Sequence, residues 1–280
     1  MKNYFLTDLD GTLLRNDASL SKYTIDVIST AIENDFVISF ATARGYVSSN
    51  KVASAILWKY PLVLYNGALI YDPIKKTMID GYWLDSEIVN NIIEIGKTIN
   101  LTPMLFCLDL DNRERVLHEK LVKFGYKEFY KSRPNDKRFK EIEKLISTDQ
   151  YRTLIITYIG LFDELEPLKK KIKEIFTDQV HIHFMRDNYI KDHYFLEITH
   201  PKSNKEEGIK LWSELIACNT KDITVFGDNL NDLAMFYQAG KSIAVENAQL
   251  QVLELADEII DSNENDGVAQ YINKILNLNI

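Results

Sequence analysis

Two aspartates, Asp8 and Asp10, follow the apolar run of residues 4–7 and lie two positions apart. Side chains at that spacing point to the same side of a strand, so both carboxylates face the same way. Each carboxylate would lose water there and repel the other. Gly11 follows at once and lets the chain turn sharply away. Two like charges held so close together indicate a site for a cation.

Three further polar residues stand where they could join this site. Thr42 follows the apolar run "FVISFA", Asp228 follows "DITVFG", and Lys205 begins a predicted helix. In an open parallel sheet, ligands bind beyond the carboxyl ends of the strands, so these groups can meet Asp8 and Asp10 at one edge. A site made only of oxygen ligands suits Mg²⁺. The ammonium of Lys205 and the hydroxyl of Thr42 are groups that bind phosphate.

The elements that position these residues read as an α/β protein. Residues 1–82 and 199–280 alternate short apolar strands with amphipathic helices, which is typical of βαβ units and a parallel sheet covered on both faces. Residues 83–198 carry fewer, longer elements with alternating patterns, which predicts an open sheet with helices on one face. The sequence therefore predicts a Rossmann-like parallel-sheet core, 1–82 and 199–280, with an inserted α/β domain, 83–198.

Seven segments resemble the haloacid dehalogenase (HAD) superfamily, and within it the Cof-like phosphatases: "DLDGTLL", "SFATAR", "YNGALIYD", "SNKEEGIK", "VFGDNLNDLAMF", "VENA" and "ENDGVAQYI". They cover almost the whole core in the family order. The inserted domain is similar in size and position to the large α/β caps of that family. The resemblance implies that it acts as a lid over the edge of the core and helps to choose the leaving group.

The resemblance also implies a role for each catalytic residue. Asp8 is the nucleophile that becomes an aspartyl phosphate, and Asp10 is the general acid and then the general base. Thr42 holds the transferring phosphoryl group, while Lys205 neutralises it and orients Asp8. Asp228 completes a Mg²⁺ site with Asp8 and the backbone carbonyl of Asp10. Positioning and charge neutralisation are most of what phosphoryl transfer needs.

Further residues of the same segments are expected around this centre. Those expected to bind substrate, besides Thr42 and Lys205, are Thr12, Ala43, Arg44 and Asn231. Those expected to support the site are Gly11, Asn66, Gly67 and Asp232. The chain departs from the family pattern at Ala43, which replaces a glycine, and at Glu246, which places an acid near the site. Neither departure removes a catalytic group.

Composition limits the partners. The 280 residues are 46% hydrophobic and 26% charged, with a net charge of −8, which argues against general binding to nucleic acid or anionic membranes. No stretch approaches the roughly 20 apolar residues of a membrane span, and only a short apolar run precedes Asp8. The two cysteines are far apart, as in a reduced protein. We expect a cytoplasmic monomer or small homo-oligomer.

The predicted function is Mg²⁺-dependent hydrolysis of small phosphorylated metabolites, such as sugar phosphates or nucleotide-like monoesters, through an aspartyl phosphate. A phosphomutase with the same chemistry remains an alternative. A phosphoacceptor module also uses a carboxylate, Mg²⁺, Thr and Lys, but it needs neither the inserted domain nor Asp10. A ligand-binding protein without catalysis would not need Asp10 as acid and base.

Two polar pairs in the inserted domain have plainer interpretations. Asp109 and Asp111 repeat the Asp-x-Asp spacing without the Gly-Thr that follows Asp10, and we interpret them as a strand end and a helix cap. His181 and His183 would share one face of a strand. A third metal ligand is not visible in the sequence, so we interpret this pair as part of a half-exposed strand.

Overall fold

The computed structural model describes residues 3–187, 190–278 and 280 of a mixed α/β protein. The contacts divide the chain into two compact units. The first unit is Met1–Gly81 together with Ser203–Ile280, and the second is Tyr82–Lys202. The α/β class with a parallel-sheet core is confirmed. The lid role of the second unit stays a prediction.

The elements are numbered along the chain. The first unit begins with β1 (Tyr4–Thr7), α1 (Lys22–Glu33), β2 (Val37–Phe40), α2 (Tyr46–Ala53), β3 (Leu62–Leu64), β4 (Leu69–Asp72) and β5 (Thr77–Gly81). The second unit contains α3 (Ser86–Lys97), β6 (Met104–Asp109), β7 (Glu114–His118), α4 (Phe124–Lys131), β8 (Phe139–Glu141), β9 (Tyr151–Leu161), α5 (Phe162–Phe176), β10 (His181–Arg186) and β11 (His193–Thr199). The first unit resumes with α6 (Lys205–Leu215), β12 (Ile223–Gly227), α7 (Leu233–Gln238), β13 (Lys241–Val245), α8 (Leu250–Leu255), β14 (Glu258–Ile260) and α9 (Gly267–Leu276).

The main sheet of the first unit is parallel, in the order β14-β13-β12-β1-β2. Its central strands are apolar over nearly their whole length because helices cover both faces. A parallel bridge between Ala41 and Val63 continues the pairing toward β3. The chain then turns back, and β3, β4 and β5 form a small antiparallel sheet.

The turn between β3 and β4 requires a glycine. Gly67 has a φ of +94°, and a Cβ atom at this position would collide with the backbone carbonyl of Asn204. Asn204 caps the start of α6 by accepting a hydrogen bond from the N–H of Glu207 at 2.9 Å. Gly67 therefore lets the turn approach the N-terminus of α6, the helix that begins with Lys205.

The second unit is built on a six-stranded sheet in the order β10-β11-β9-β6-β7-β8. Helices α3 and α5 pack on one face through a large apolar cluster. The expectation that helices cover only this face is wrong, since Tyr126 and Phe129 of α4 pack on the other face against Met104 and Ile159. Helix α4 is hard to predict from the sequence because it contains a glycine and several aromatic residues, which are not strong helix formers.

The Asp109 and Asp111 pair is a strand end, as expected, but not a helix cap. It lies in the hairpin turn between β6 and β7, where Asp109 Oδ1 accepts the N–H groups of Asp111 at 3.0 Å and Arg113 at 2.9 Å. A side-chain acceptor of this kind stabilises tight turns as well as helix ends, which is why the sequence pattern was ambiguous. Within the described part of the chain, no helix has the length and apolar character to cross a membrane.

Candidate active site

Three adjacent strands of the core sheet end at the predicted site. Strand β1 lies between β12 and β2, and Thr7 pairs in register with both Phe226 and Phe40. Asp8 follows β1 and donates its N–H to the carbonyl of Phe226 at 2.9 Å. Because the strands are parallel and their ends are level, Asp228 follows β12 on one side of Asp8 and Thr42 follows β2 on the other.

Lys205 is the cation at the centre of this edge. Its Nζ lies 2.5 Å from Asp8 Oδ1 and 2.5 Å from Asp232 Oδ1, and its side chain is 0% exposed. Burial alone would lower the pKa of the ammonium, but the attraction of Asp232 and Asp8 outweighs burial and raises it. Lys205 is therefore charged and oriented by both carboxylates.

Burial raises the pKa of Asp8 well above its ordinary value, against the attraction of Lys205 and with further repulsion from Asp232 and Asp228. Burial, with repulsion from Asp232, also raises the pKa of Asp228 to about 6. Thr12 donates a hydrogen bond to Asp228 Oδ1 at 2.9 Å. The site thus crowds more negative charge together than Lys205 balances.

One oxygen from each of Asp8, Asp228 and Asp232 lies within 4.8 Å of the others. Carboxylate oxygens at such separations are the ligands of a hard divalent cation, and its charge would offset their repulsion. Gly11, with a φ of +78°, allows the chain to pass close by, since a Cβ atom there would lie 2.6 Å from Asp228 Oδ2. The residues present therefore fit Mg²⁺.

Asp232 was expected only to support the site, yet it belongs to this carboxylate group. Its Oδ1 binds Lys205, while its Oδ2 accepts the N–H groups of Asp228 and Asn229, both at 3.0 Å. The spacing from Asn229 to Asp232 indicates a helix start, and Asn229 does cap the short turn 230–232. A capping pattern of this kind does not predict the contact between Asp232 and Lys205, because Lys205 lies on α6, which is distant in sequence.

The Asp10 side chain lies outside the carboxylate group. Arg44 holds it with two hydrogen bonds, from Nε to Oδ2 at 2.7 Å and from Nη2 to Oδ1 at 2.5 Å. Asp10 keeps 49% of its side chain exposed, so it can reach solvent and a bound molecule. Its predicted contribution to the metal site is a backbone carbonyl, and both that contribution and its acid–base role stay predictions.

The remaining expected residues line the same edge. The Thr42 hydroxyl is buried and accepts the N–H of Arg44 at 3.2 Å, while Ala43 is exposed. Asn231 donates to Asn66 Oδ1 at 3.0 Å. Their contacts with a substrate stay predictions.

One residue that sequence reasoning missed also shapes this edge. Asn247 of the "VENA" segment donates to the Gly11 carbonyl at 2.7 Å and accepts the N–H of Asn263 at 2.9 Å. It thereby ties the loop after Asp10 to the C-terminal part of the chain. The segment "VENA" is the signal in the sequence, but the segment alone does not indicate which groups Asn247 contacts.

A protein-family model described as haloacid dehalogenase-like hydrolase matches residues 5–272. A candidate phosphatase of Buchnera aphidicola subsp. Acyrthosiphon pisum is 30% identical over 98% of this chain and 97% of its own length. The pyridoxal phosphate phosphatase YbhA of Escherichia coli is 24% identical over 95% of each chain. A crystal structure of a Thermotoga maritima protein superposes with a TM-score of 0.80 at 26% identity, over 98% of this chain and 97% of that one.

Proposed function

The chain belongs to the haloacid dehalogenase-like hydrolases, and from this premise we propose that it is a Mg²⁺-dependent phosphatase of small phosphorylated metabolites that reacts through an aspartyl phosphate on Asp8. The observation that carries the proposal is the fully buried ammonium of Lys205, which binds Asp8 and Asp232 at 2.5 Å each. A buried lysine that orients one carboxylate between two others is suited to a nucleophile that attacks an anion, because it offsets the repulsion between them.

The proposed reaction has two displacements at phosphorus. In the first, an Asp8 oxygen attacks phosphorus, the bond from phosphorus to the ester oxygen breaks, and Asp10 gives its proton to that oxygen. The alcohol leaves and the phosphoryl group stays on Asp8. In the second, water attacks phosphorus and loses a proton to Asp10, the bond from phosphorus to Asp8 breaks, and phosphate leaves. The sum is one ester and one water converted to one alcohol and one phosphate.

The other residues of the site position the phosphoryl group and neutralise its charge. Lys205 stabilises charge on the phosphoryl group, and the hydroxyls of Thr12 and Thr42 are available as hydrogen-bond donors. Asp8, Asp228 and Asp232, with the backbone carbonyl of Asp10, are the groups that would hold Mg²⁺. When bound, the ion would neutralise part of the charge on phosphate. Arg44 lies beside Asp10 and is a second cation that can meet an anionic substrate.

The names of the relatives support a class of substrate to test first. The Escherichia coli relative is named for pyridoxal phosphate, so this small phosphate monoester is the first candidate to test on the chain. The net charge of −8 does not favour phosphorylated nucleic acids or phosphate groups on anionic membranes. We propose that residues of the inserted unit select the organic group, since the residues of the core are needed for the phosphate itself.

The test is a screen of phosphorylated metabolites with purified protein and Mg²⁺, with release of inorganic phosphate as the readout. A reaction with a good substrate is then quenched in acid, and peptide mass analysis should find the phosphoryl group on Asp8. Label on another residue, or hydrolysis with no covalent intermediate, would overturn the mechanism. Transfer to a second sugar hydroxyl without release of phosphate would instead support the phosphomutase alternative.

A further inference from the structure

A group of polar residues lies on one face of the inserted sheet. In the register of three neighbouring strands, Glu197 of β11 lies opposite His183 of β10 and Thr157 of β9, and His181 lies opposite Thr199. These five residues are called the polar patch. Because alternate residues of a strand share a face, Glu197 is on the same side as Phe195, which packs in the cluster under α4. The polar patch therefore adjoins the α4 cluster on that face.

Several atoms of the polar patch are buried without a partner. Thr157 and Thr199 are 0% and 4% exposed. Their hydroxyl oxygens, and Nε2 of His183, find no hydrogen-bond partner among the described residues. A buried polar atom without a partner costs about 1–3 kcal/mol, and folded proteins contain few of them. Three at adjoining register positions require a reason.

Glu197 adds a carboxyl group to the polar patch. Within residues 3–187, 190–278 and 280, no hydrogen bond or ion pair reaches its side chain. Burial alone raises its pKa to about 7. In the core, by contrast, Asp8 and Asp232 each accept a hydrogen bond from Lys205, and Asp228 accepts one from Thr12. Glu197 is therefore left with acceptor capacity that nothing in the described part of the chain uses.

The imidazoles of the polar patch are neutral at pH 7. Burial, with a smaller effect of His181, lowers the pKa of His183 to about 4, and burial lowers that of His181. A neutral imidazole offers one donor and one acceptor, and each threonine hydroxyl offers both. The polar patch thus presents several hydrogen-bonding groups and no positive charge. That chemistry does not suit a phosphate or a carboxylate, because Glu197 would repel an anion.

A metal ion is not indicated here either. Among the described residues, the one group of three or more His, Cys, Asp or Glu close enough to hold a metal is Asp8, Asp228 and Asp232 in the core. The ligand that satisfies unpartnered hydroxyls, neutral imidazoles and a carboxyl group at once carries hydroxyl groups of its own, because each can donate and accept.

We propose that the polar patch is a binding site for a neutral small molecule rich in hydroxyl groups, of the sugar or polyol class. The ligand's hydroxyls donate to Glu197 and exchange hydrogen bonds with Thr157, Thr199 and His183. Binding at the polar patch needs neither Asp8 nor a phosphate group, so this proposal does not depend on the hydrolysis proposed above and goes beyond it.

The test uses the full-length protein and probes without phosphate. Ribitol and D-ribose are titrated to about 50 mM, a range that detects weak binding, while NMR follows the imidazole Cε1–H signals of the five histidines. We expect a saturable shift of the His183 and His181 signals, with His118 unchanged. The anionic polyol D-ribonate should bind about tenfold more weakly than ribitol because it meets the carboxyl group of Glu197.

Two variants with matched controls identify the residues. Glu197→Gln, which replaces one acceptor oxygen by an NH2 group, and Thr157→Val, which removes a hydroxyl, should each raise the apparent Kd of ribitol about tenfold, the effect of one lost hydrogen bond. Glu94→Gln and Thr98→Val, at exposed positions of the same unit, should bind ribitol as the wild type does. An unchanged His118 signal in each variant shows that the sheet is folded.

The proposal fails if neither neutral probe gives a saturable shift at His183, which would mean that the polar patch holds only water. It also fails if D-ribonate binds as well as ribitol, or if both variants bind ribitol like the wild type. Because the probes contain no phosphorus, none of these results depends on whether the chain is a phosphatase. Absence of hydrolysis in the metabolite screen would likewise leave this binding test intact.

Discussion

The core site and the polar patch both withdraw ionisable side chains from water beside a sheet, but only the core site gives them partners of opposite charge. In the core, Lys205 is fully buried and binds two carboxylates at 2.5 Å each. In the inserted unit, Glu197 is partly buried with no partner among the described residues, and loss of water around it alone shifts its pKa. The first site supplies its own counter-charge, whereas the second leaves hydrogen-bonding capacity for something else.

Because of this difference, removing a charged group should lower the free energy of unfolding at the core site and raise it at the polar patch. Removing one member of a buried ion pair strands the other charge, which is strongly destabilising. Removing an unpaired, partly buried carboxyl group takes away a desolvation penalty and leaves no partner behind, so the free energy of unfolding should rise. Charge-removing variants at the two sites therefore test the comparison directly.

The largest effect is expected at the nucleophile. Asp8→Asn keeps the size of the side chain but removes the attacking oxygen, so hydrolysis of p-nitrophenyl phosphate with Mg²⁺ should fall by a factor on the order of 1,000 or more. Asp26→Asn, which removes a surface partner of Lys22, is the control and should keep full activity. Circular dichroism checks that both variants fold. Wild-type rates in a folded Asp8→Asn variant would remove Asp8 as the nucleophile.

The core and its edge could be predicted because local pattern decides them. Short apolar strands between amphipathic helices indicate a parallel sheet, and polar residues directly after such strands must lie at its edge. Asp8, Thr42 and Asp228 follow from those two rules. The rules do not fix which way a side chain points within a turn. The pairing of Asp232 with Lys205, and that of Arg44 with Asp10, therefore became visible only in the structure.

The inserted unit was less predictable for a different reason. The polar patch joins residues of β9, β10 and β11, and their alignment depends on strand register rather than on sequence distance. The alternation around His181 and His183 correctly indicated a strand face, but no local signal placed Glu197 opposite His183. Helix α4 was missed because Tyr126 and Phe129 meet the sheet in a segment whose aliphatic periodicity is weak.

The second prediction concerns the divalent ion. Chelation with EDTA should reduce hydrolysis by a factor on the order of 100 or more, and added Mg²⁺ should restore it. Binding to the folded state should also raise the stability of the wild type by about 2.7 kcal/mol at a Mg²⁺ concentration of 100 Kd. Asp228→Asn should lose most of this stabilisation in thermal unfolding. Full activity in EDTA would mean that the carboxylate group serves another purpose.

The third prediction removes the cation that balances the core. Lys205→Met leaves Asp8 and Asp232 buried without a counter-charge, so the free energy of unfolding should fall by about 3–5 kcal/mol. Urea unfolding without divalent ions measures it. Lys210→Met, on the same helix with its ammonium bound to exposed Glu206 and Glu207, should change stability by less than about 1 kcal/mol. Equal effects would show that burial of Lys205 has no electrostatic importance.

The smallest effect has the opposite sign and belongs to the polar patch. Burial raises the pKa of Glu197 from 4.5 to about 7. The contribution of Glu197 to the free energy of unfolding is therefore most favourable below about pH 4.5. It is lost as the pH rises to about 7, where the carboxyl group of the folded protein ionises. Glu197→Gln cannot ionise, so its advantage over the wild type should be near zero at pH 4 and reach on the order of 2–3 kcal/mol at pH 8.

Urea unfolding of wild type and Glu197→Gln at pH 4 and pH 8 measures this advantage, with the exposed Glu94→Gln as the control. A variant that gains stability at pH 8 and loses affinity for ribitol would show that the carboxyl group is kept for a ligand and not for folding, the usual trade-off at a binding site. A Glu197→Gln protein less stable than the wild type at pH 8 would mean that Glu197 has a partner in solution. The two sites would then follow the same rule.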